Sequence, residues 1–410
     1  MNWFKLSLAK KIFVMLVIGV VAGLYFGPSV LIVKPIGDMF LRLLRMLIVP
    51  LVFFTLVSGV TRMESPESLR KTGSFILFFY LLSSFLSALC GVLVALVIRP
   101  GRGAEGVLGT VADIAAQKYS VVDTVLNWIP TNPVEAMTNM NMIQIIFFAL
   151  IVGVALLCLK EKAETATGFF HQMSDTMIKV TEFVMKFAPY GIGALVACLT
   201  GTIGGKMMVA VGKFILADYL AIVLLSLIVY PAALLIWKIP VFRFFGHIAP
   251  AMLVAATTTS SAATLPMEMN IAEKKLGIPE SIYGFALPLG NTANMNGFAA
   301  ALGVISVFAL DVFKIPITFS TVAQIVFLGL MLAVGAAGVK GAGIVMSAVL
   351  FESLGLPLGL VPVLAAVWPI IDIPHTTANV TGDLVGTAIA GAKFNRLDWD
   401  VFHGKTGAGS

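Results

Sequence analysis

Residues 377–383 read Thr-Ala-Asn-Val-Thr-Gly-Asp, and residues 292–297 read Thr-Ala-Asn-Met-Asn-Gly. Both stretches contain Thr-Ala-Asn, an apolar residue, a polar residue and then glycine. Each follows a segment rich in small and hydroxylated residues, at 255–264 before the first copy and at 335–343 before the second. Such residues have weak helix propensity or compete for backbone hydrogen bonds, which disfavours an uninterrupted helix. The sequence therefore predicts two helical hairpins, each followed by a broken helix.

The composition around these repeats is that of a membrane protein. Of the 410 residues, 59% are hydrophobic and 12% are charged, which is too apolar for an ordinary soluble domain. Several apolar runs approach or exceed the roughly 20 residues that cross a hydrocarbon core. These runs lack two-residue alternation, so they predict helices, whose backbone polar groups are satisfied without water. The clearest runs are 12–27, 47–60, 74–98, 145–159 and 217–237.

Basic residues near the ends of the runs predict the orientation. They alternate with less basic connections, so the positive-inside rule places both termini in the cytoplasm of a multi-pass protein of the cell (inner) membrane. The net charge of +6 reflects this bias, and no basic stripe indicates a nucleic-acid partner. The residues that carry the bias are Lys5, Lys10, Lys11, Arg62, Arg70, Lys71, Lys160, Lys162, Lys393 and Arg396.

The last apolar segment contains three ionisable residues, Asp372, His375 and Asp383. Such a group costs about 2.5 to 3.5 kcal/mol at the centre of a span, so each requires an explanation. Helical spacing places them with Asn379 on one polar stripe, which must face a cavity or the protein interior. Asp383 is the preferred Na⁺ ligand, because unwound carbonyls near its carboxylate would supply further hard oxygens. Asp372 is better suited to neutralising an ammonium group.

Other polar residues allow more than one interpretation. His375 can donate a neutral hydrogen bond, bind a proton or be a satisfied interior imidazole, and we favour the first. Ser83 and Ser84 can turn their hydroxyls toward the same cavity or bond back to their own helix. Glu268 is equally consistent with an interfacial charge and with a place in an ion pathway. The stripe can also consist of groups that only pair with each other between helices.

Polar groups inside the membrane beside two hairpins indicate a secondary transporter. A channel is the alternative membrane class, but the sequence has no ring-forming filter motif. An enzyme is not expected, because the sequence has neither an HExxH motif nor a nucleophile elbow.

The motifs resemble those of the glutamate-transporter-like dicarboxylate/amino acid:cation symporter family over nearly the whole chain. Residues 259–266, Thr-Ser-Ser-Ala-Ala-Thr-Leu-Pro, are similar to its serine-rich first hairpin. Residues 294–297 resemble its Asn-Met-Asp-Gly motif, 379–383 its last-helix motif, and 338–343 its second hairpin tip. The resemblance implies an all-α membrane protein with eight transmembrane helices plus two re-entrant helical hairpins, arranged as inverted repeats. It also implies a homotrimer surrounded by membrane lipid and an elevator-type transporter.

The expected organisation separates scaffold helices from a transport core. Up to Trp237 the sequence predicts six conventional spans, with a long polar connection at 99–141. We assign residues 1–160 to scaffold and trimerisation helices with part of the core in the third span, 161–240 to the remaining scaffold and core helices, 241–395 to the two hairpins with spans seven and eight, and 396–410 to a cytoplasmic tail.

Carried over residue by residue, the resemblance implies three sodium sites. The first would use Gly290, Asn294, Asn379 and Asp383. The second would use the carbonyls of Thr292, Ala333, Val334 and Ala336. The third would use Tyr80, Ser83, Ser84 and Asn294, but the family's usual aspartate is Asn296 in this sequence. That change removes a formal negative charge and puts the third site, and the number of coupled ions, in doubt.

The resemblance also implies a substrate pocket. Asp372 matches the aspartate that meets a substrate amine, which favours an amino acid. His375 stands where acidic-substrate members have arginine, and Phe298 replaces a threonine. A neutral imidazole cannot grip a carboxylate as guanidinium does, so a small neutral amino acid is expected. The predicted substrate-binding residues are Thr259, Ser260, Ser261, Met295, Phe298, Val339, Gly343, Asp372, His375, Thr376 and Asn379.

The expected mechanism is symport. The amino acid and Na⁺ would bind between the hairpin tips, the second hairpin would close as a gate, and the core would slide across the membrane. Proton-coupled symport of an amino acid or a dicarboxylate is the alternative, with His375 or Glu268 as the proton carrier.

Overall fold

The computed structural model describes residues 6, 8–61, 70–106, 126, 129–203, 205–335 and 342–405. These residues form helices and no strand, which confirms the all-α prediction. A 3-10 turn, Gly27–Val33, joins the first two helices, and a π-helical turn, Leu225–Val229, joins the last two helices of the first half. The helices up to residue 236 are α1 Leu8–Phe26, α2 Lys34–Thr61, α3 Arg70–Ile98, α4 Pro133–Thr138, α5 Met142–Leu159, α6 Glu164–Ile203, α7 Gly205–Leu224 and α8 Tyr230–Ile236.

The second half contains the two predicted hairpins. Its helices are α9 Val241–Thr258, α10 Ser261–Lys274, α11 Glu280–Ala293, α12 Asn296–Val312, α13 Phe319–Gly335, α14 Ala342–Ser353, α15 Val361–Lys393 and α16 Trp399–Phe402.

Helices α9 and α10 pack against each other and form hairpin 1. The chain reverses at Thr259, which adopts a left-handed conformation with φ +47°. The Ser260 hydroxyl then caps α10 by accepting a hydrogen bond from the Ala263 N–H at 3.3 Å. The small and hydroxylated residues therefore lie at a turn between helices, as predicted.

Helices α13 and α14 also contact each other and form the arms of hairpin 2. Residues 336–341, which join them, lie outside the described residues. The predicted site residues Ala336 and Val339 lie in that segment.

The first predicted helix break is confirmed. Asn294 and Met295 depart from helical geometry, with ψ of 60° and 64°, and separate α11 from α12.

The second predicted break is wrong, because α15 runs without interruption through residues 377–383. The Thr377 hydroxyl donates to the carbonyl four residues earlier at 2.8 Å, so a hydroxylated residue is satisfied inside the helix. Pro374 has no N–H for the Ile370 carbonyl, but the Tyr219 hydroxyl donates to that carbonyl at 2.9 Å. Neighbouring groups thus satisfy the backbone, and the helix continues.

By length and composition, the described residues contain seven helical stretches that are apolar enough to cross a membrane. Lys10–Thr61 and Gln144–Cys198 each comprise two consecutive helices, and Val241–Thr258 is the first arm of hairpin 1. The chain is therefore a multi-pass membrane protein. This arrangement is compatible with eight spans and two hairpins, and that number stays a prediction.

Helix α12 lies at the centre of the fold, since all 17 of its residues are buried. It packs against α3 through two glycines that allow the backbones to approach closely. A Cβ atom on Gly303 would lie 2.6 Å from the Ala88 carbonyl oxygen, and one on Gly91 would overlap the Ala300 carbonyl.

At the end of the α3–α12 contact, the Arg99 Nε donates to an oxygen of the buried Asp311 carboxylate at 3.0 Å. Hydrogen bonding to Asp311 raises the pKa of the Arg99 guanidinium above its usual value. Arg99 therefore neutralises the Asp311 carboxylate, which would otherwise be buried without a partner.

We expect Gly303→Ala to destabilise the protein by about 1–3 kcal/mol, because the added methyl overpacks a backbone contact. Gly246→Ala in α9 is the matched control, since a Cβ there would meet nothing within 4 Å. Thermal unfolding of the purified full-length variants measures the difference. Equal melting temperatures for the two variants would contradict the close α3–α12 packing.

Candidate functional site

The two Thr-Ala-Asn motifs meet where α15 crosses the break between α11 and α12. A Cβ atom on Gly297 would overlap the His375 backbone, and one on Gly382 would lie 2.6 Å from the Asn296 amide nitrogen. The Asn379 side-chain oxygen accepts hydrogen bonds from the backbone N–H groups of Gly297 and Phe298, at 2.8 and 3.4 Å. Glycine at both crossing points therefore allows one motif to satisfy the free N–H groups of the other.

A buried polar network surrounds Asp383, whose side chain is fully buried. One carboxylate oxygen accepts from the Asn294 amide at 2.7 Å, and the Asn294 oxygen accepts from the Ser83 hydroxyl at 2.9 Å. The Tyr80 hydroxyl hydrogen-bonds the backbone carbonyls of Ala286 and Asp383, at 3.1 and 3.3 Å. Residues predicted from distant parts of the sequence are thus brought together.

Asn296 continues the network on the other side of the break. Its oxygen accepts from the Ser84 hydroxyl at 2.9 Å, and its amide donates to the Tyr230 hydroxyl at 3.2 Å. Tyr230 in turn donates to the Ala378 carbonyl at 2.8 Å. The Ser83 and Ser84 hydroxyls thus both lie within this network, and the Ser83 hydroxyl is also 3.0 Å from the Tyr80 carbonyl of its own helix. Tyr230, which sequence reasoning did not single out, holds Asn296 in place.

The environment of Asp383 fits a monovalent cation with oxygen ligands. The second carboxylate oxygen of Asp383 is buried and has no hydrogen-bond partner in the part of the chain that the structure describes. Gly290 leaves space beside the carboxylate, since a Cβ there would lie 2.6 Å from the first Asp383 oxygen and 3.0 Å from the Tyr80 hydroxyl. No group of three or more His, Cys, Asp or Glu residues suited to a metal occurs in the described ranges. The Tyr80 hydroxyl and the Asn294 side-chain oxygen belong to the same network and would be further oxygen ligands for Na⁺.

The residues predicted for the second sodium site lie on neighbouring helices. Thr292 is half-buried near the end of α11, with its hydroxyl bonded to the Leu289 carbonyl at 3.0 Å. Ala333 and Val334 are buried at the end of α13, which packs against α11.

The predicted substrate residues occupy three elements. At hairpin 1, Thr259 and Ser260 are half-buried and Ser261 is buried. Met295 and Phe298 are buried at the helix break. On α15, Thr376 and Asn379 are buried, whereas Asp372 is only half-buried. Gly343 lies in the first turn of α14 against Trp368, whose ring a Cβ at position 343 would overlap.

His375 has a partner that sequence reasoning missed. Its Nε2 lies 2.8 and 2.9 Å from the two carboxylate oxygens of Asp218 on α7, and both side chains are almost fully buried. The other ring nitrogen, Nδ1, is buried and has no hydrogen-bond partner among the residues that the structure describes. Asp218 is an acidic residue within an apolar run, and that signal alone should have marked it as functional.

An aromatic side chain connects His375 to the helix break. The Trp368 ring centroid lies 5.9 Å from that of His375 and 6.2 Å from that of Phe298, both in edge-to-face geometry. Trp368 precedes His375 by seven residues and so shares its face of α15. The seven-residue spacing from His375 is the feature of the sequence that could have identified Trp368 as a neighbour of the site.

Glu268 is 0% exposed in hairpin 1, so its interpretation as an interfacial charge is wrong. Neither of its carboxylate oxygens has a hydrogen-bond partner within the described ranges.

Comparison with known proteins gives matches along nearly the whole chain. A family model described as the sodium:dicarboxylate symporter family matches residues 8–393. The proton/sodium-glutamate symport protein of Geobacillus stearothermophilus is 28% identical over 94% of this chain and 94% of its own length. The C4-dicarboxylate transport protein of Pseudomonas syringae pv. syringae (strain B728a) is 28% identical over 98% and 91%. The proton/glutamate-aspartate symporter of Bacillus subtilis (strain 168) is 29% identical over 96% and 97%.

We expect Gly290→Ala to weaken Na⁺ binding by about tenfold or more. The added methyl group would press against the Asp383 carboxylate, and such overpacking costs about 1–3 kcal/mol. Gly284→Ala on the same helix is the control, since its Cβ would meet only the Glu280 side chain at 3.7 Å. The measurement is the rise in melting temperature with increasing Na⁺. A Gly290→Ala response equal to that of the control would exclude Gly290 from the cation site.

Proposed function

Because this chain belongs to the sodium:dicarboxylate symporter family, we propose that it is a secondary active transporter that couples Na⁺ to the symport of a small neutral amino acid. Family membership confirms the predicted resemblance, and with it a membrane symporter coupled to Na⁺ or H⁺. The choice of Na⁺, the neutral substrate, the homotrimer and the elevator movement are our proposals.

The observation that carries the proposal of Na⁺ is the unpartnered, buried oxygen of Asp383 beside a helix break. Among the described residues, no basic side chain forms an ion pair with this carboxylate. A buried ionised carboxylate is unfavourable unless a cation accompanies it. Bound Na⁺ would neutralise it, so that the loaded core crosses the membrane more readily than a partly loaded one.

The His375–Asp218 pair supports a neutral substrate. With a neutral imidazole the pair carries one negative charge, and with an imidazolium it is neutral, so it never offers a net positive charge to a substrate carboxylate. The Trp368 ring contacts both His375 and Phe298, and these aromatic rings add apolar surface near the imidazole. Asp372 would meet the amine of the substrate, and the α-carboxylate would bind N–H groups at a hairpin tip.

The elevator movement is proposed on the arrangement of the second half. Hairpin 1, hairpin 2 and α15 would carry the cargo, while the scaffold helices of 1–160 and 161–240 would hold three protomers together in the lipid. Hairpin 2 would close over the bound amino acid before the core slides.

Proton-coupled symport of an amino acid or a dicarboxylate is the second candidate. Relatives named for proton/glutamate-aspartate symport and for C4-dicarboxylate transport favour it.

Uptake into proteoliposomes separates these functions. We expect radiolabelled small neutral amino acids to accumulate under an inward Na⁺ gradient at constant pH, and not under a pH gradient without Na⁺. Glutamate and succinate are the acidic controls and should not accumulate. Uptake that follows only the pH gradient would exclude Na⁺ coupling, and preferred uptake of an acidic control would exclude the neutral substrate.

We expect His375→Arg alone to leave acidic amino acids excluded, because Asp218 would pair with the new guanidinium. The double variant His375→Arg/Asp218→Asn frees that guanidinium for a substrate carboxylate. A charge-assisted hydrogen bond contributes about 1.5–3 kcal/mol, so glutamate affinity should rise by about tenfold or more only in the double variant. Competition of unlabelled glutamate with the transported amino acid measures this.

Asp218→Asn alone is the matched control, and it should not bind glutamate. If the single His375→Arg variant binds glutamate as tightly as the double variant, the Asp218 pairing does not control the pocket.

A further inference from the structure

Two carboxylates in the core lack the partners that buried charges require. Glu268 on α10 and Asp383 on α15 are both 0% exposed. Among the described residues, both oxygens of Glu268 and one oxygen of Asp383 have no hydrogen-bond partner. Neither residue forms an ion pair within the part of the chain that the structure describes. Three carboxylate oxygens are therefore buried without compensation.

These oxygens belong to one cluster. Helix α10, which carries Glu268, packs against α15, which carries Asp383. The Tyr80 hydroxyl on α3 donates to the backbone carbonyl of Asp383 at 3.3 Å. The cluster therefore joins hairpin 1, α3 and α15 around two buried carboxyl groups.

The other buried acidic residues in the same interior differ. Asp218 is paired with His375, and Asp311 is paired with Arg99. Burial of a carboxylate is thus compensated by a base within the protein at those two positions. At Glu268 and Asp383 the compensation must come from outside the protein.

We propose that Glu268 is a cation ligand and that, together with Asp383, it binds a sodium ion between hairpin 1 and α15. The inference rests on the proposed Na⁺ coupling and adds a ligand to it. Sodium accepts several hard oxygens at once, whereas a single proton would leave at least one of the three oxygens unpaired. Glu268 thereby supplies a negative charge to the core that carries the neutral Asn296.

Binding of radioactive sodium to the purified full-length protein, without substrate, tests this proposal. We expect Glu268→Gln to bind one Na⁺ fewer per protomer than the unmodified protein. Glu273→Gln is the matched control, because Glu273 lies on the same helix but is exposed. Glu268→Asp keeps the charge on a shorter side chain and should retain the ion with weaker affinity.

Melting temperatures in sodium-free choline buffer show whether the variant is folded. Glu268→Gln should melt at or above the temperature of the unmodified protein, because it removes an uncompensated buried charge. In the same variant, the stabilisation by added Na⁺ should be smaller than in Glu273→Gln.

The outcomes are distinguishable. If Glu268→Gln binds as many sodium ions as Glu273→Gln, the assignment of Glu268 is wrong, while Na⁺ coupling stands. If Glu268→Gln keeps its sodium ions but loses a pH dependence of uptake, Glu268 carries a proton and the sodium assignment is also wrong. If the unmodified protein binds no sodium, the proposed coupling fails, and this inference fails with it.

Discussion

The close contact between α15 and the break in the α11–α12 pair is the constraint on which the site depends. It requires glycine at 297 and 382. A Cβ atom at 297 would collide with the His375 backbone, and one at 382 would collide with the Asn296 side chain. The contact allows Asn379 to cap the first N–H groups of α12 and Asn294 to reach Asp383. Each motif thus completes hydrogen bonds that the other cannot make alone. The two motifs are similar in sequence, and in the structure they contact each other directly.

The protein interior around this contact contains two kinds of buried carboxylate: those that pair with a base and those that do not. Asp218 is hydrogen-bonded to the base His375 beside Trp368, at the proposed substrate side. Among the described residues, no base forms an ion pair with Glu268 or Asp383. In the proposed transport cycle, these uncompensated carboxylates would oppose movement of the core without cargo. We attribute coupling to this difference.

Much of the fold was accessible from the sequence, because length, hydropathy and small-residue clusters report local conformation directly. The all-helical class, the hairpin at Thr259 and the break at Asn294 follow from such signals. The prediction of a second break was wrong, because the second Thr-Ala-Asn motif is helical. The Thr377 hydroxyl donates to a backbone carbonyl one turn earlier. The Tyr219 hydroxyl donates to the Ile370 carbonyl, which has no N–H partner because residue 374 is proline. The deciding group lies about 150 residues away in sequence, so a local pattern contains no information about it.

The same limit explains the site. Asp383 was found because it is an ionisable residue in an apolar segment, whereas Asn294, Ser83 and Ser84 were assigned to sodium sites through the family resemblance. The pairing of Asp218 with His375 depends on how α7 packs against α15, which hydropathy does not encode. The burial of Glu268 likewise depends on how hairpin 1 docks on α15. A residue type can therefore be identified from sequence as costly in a membrane, but whether a base, a cation or the substrate compensates its charge is decided by packing. In this protein we propose that this distinction separates the residues that shape the substrate pocket from those that require an ion.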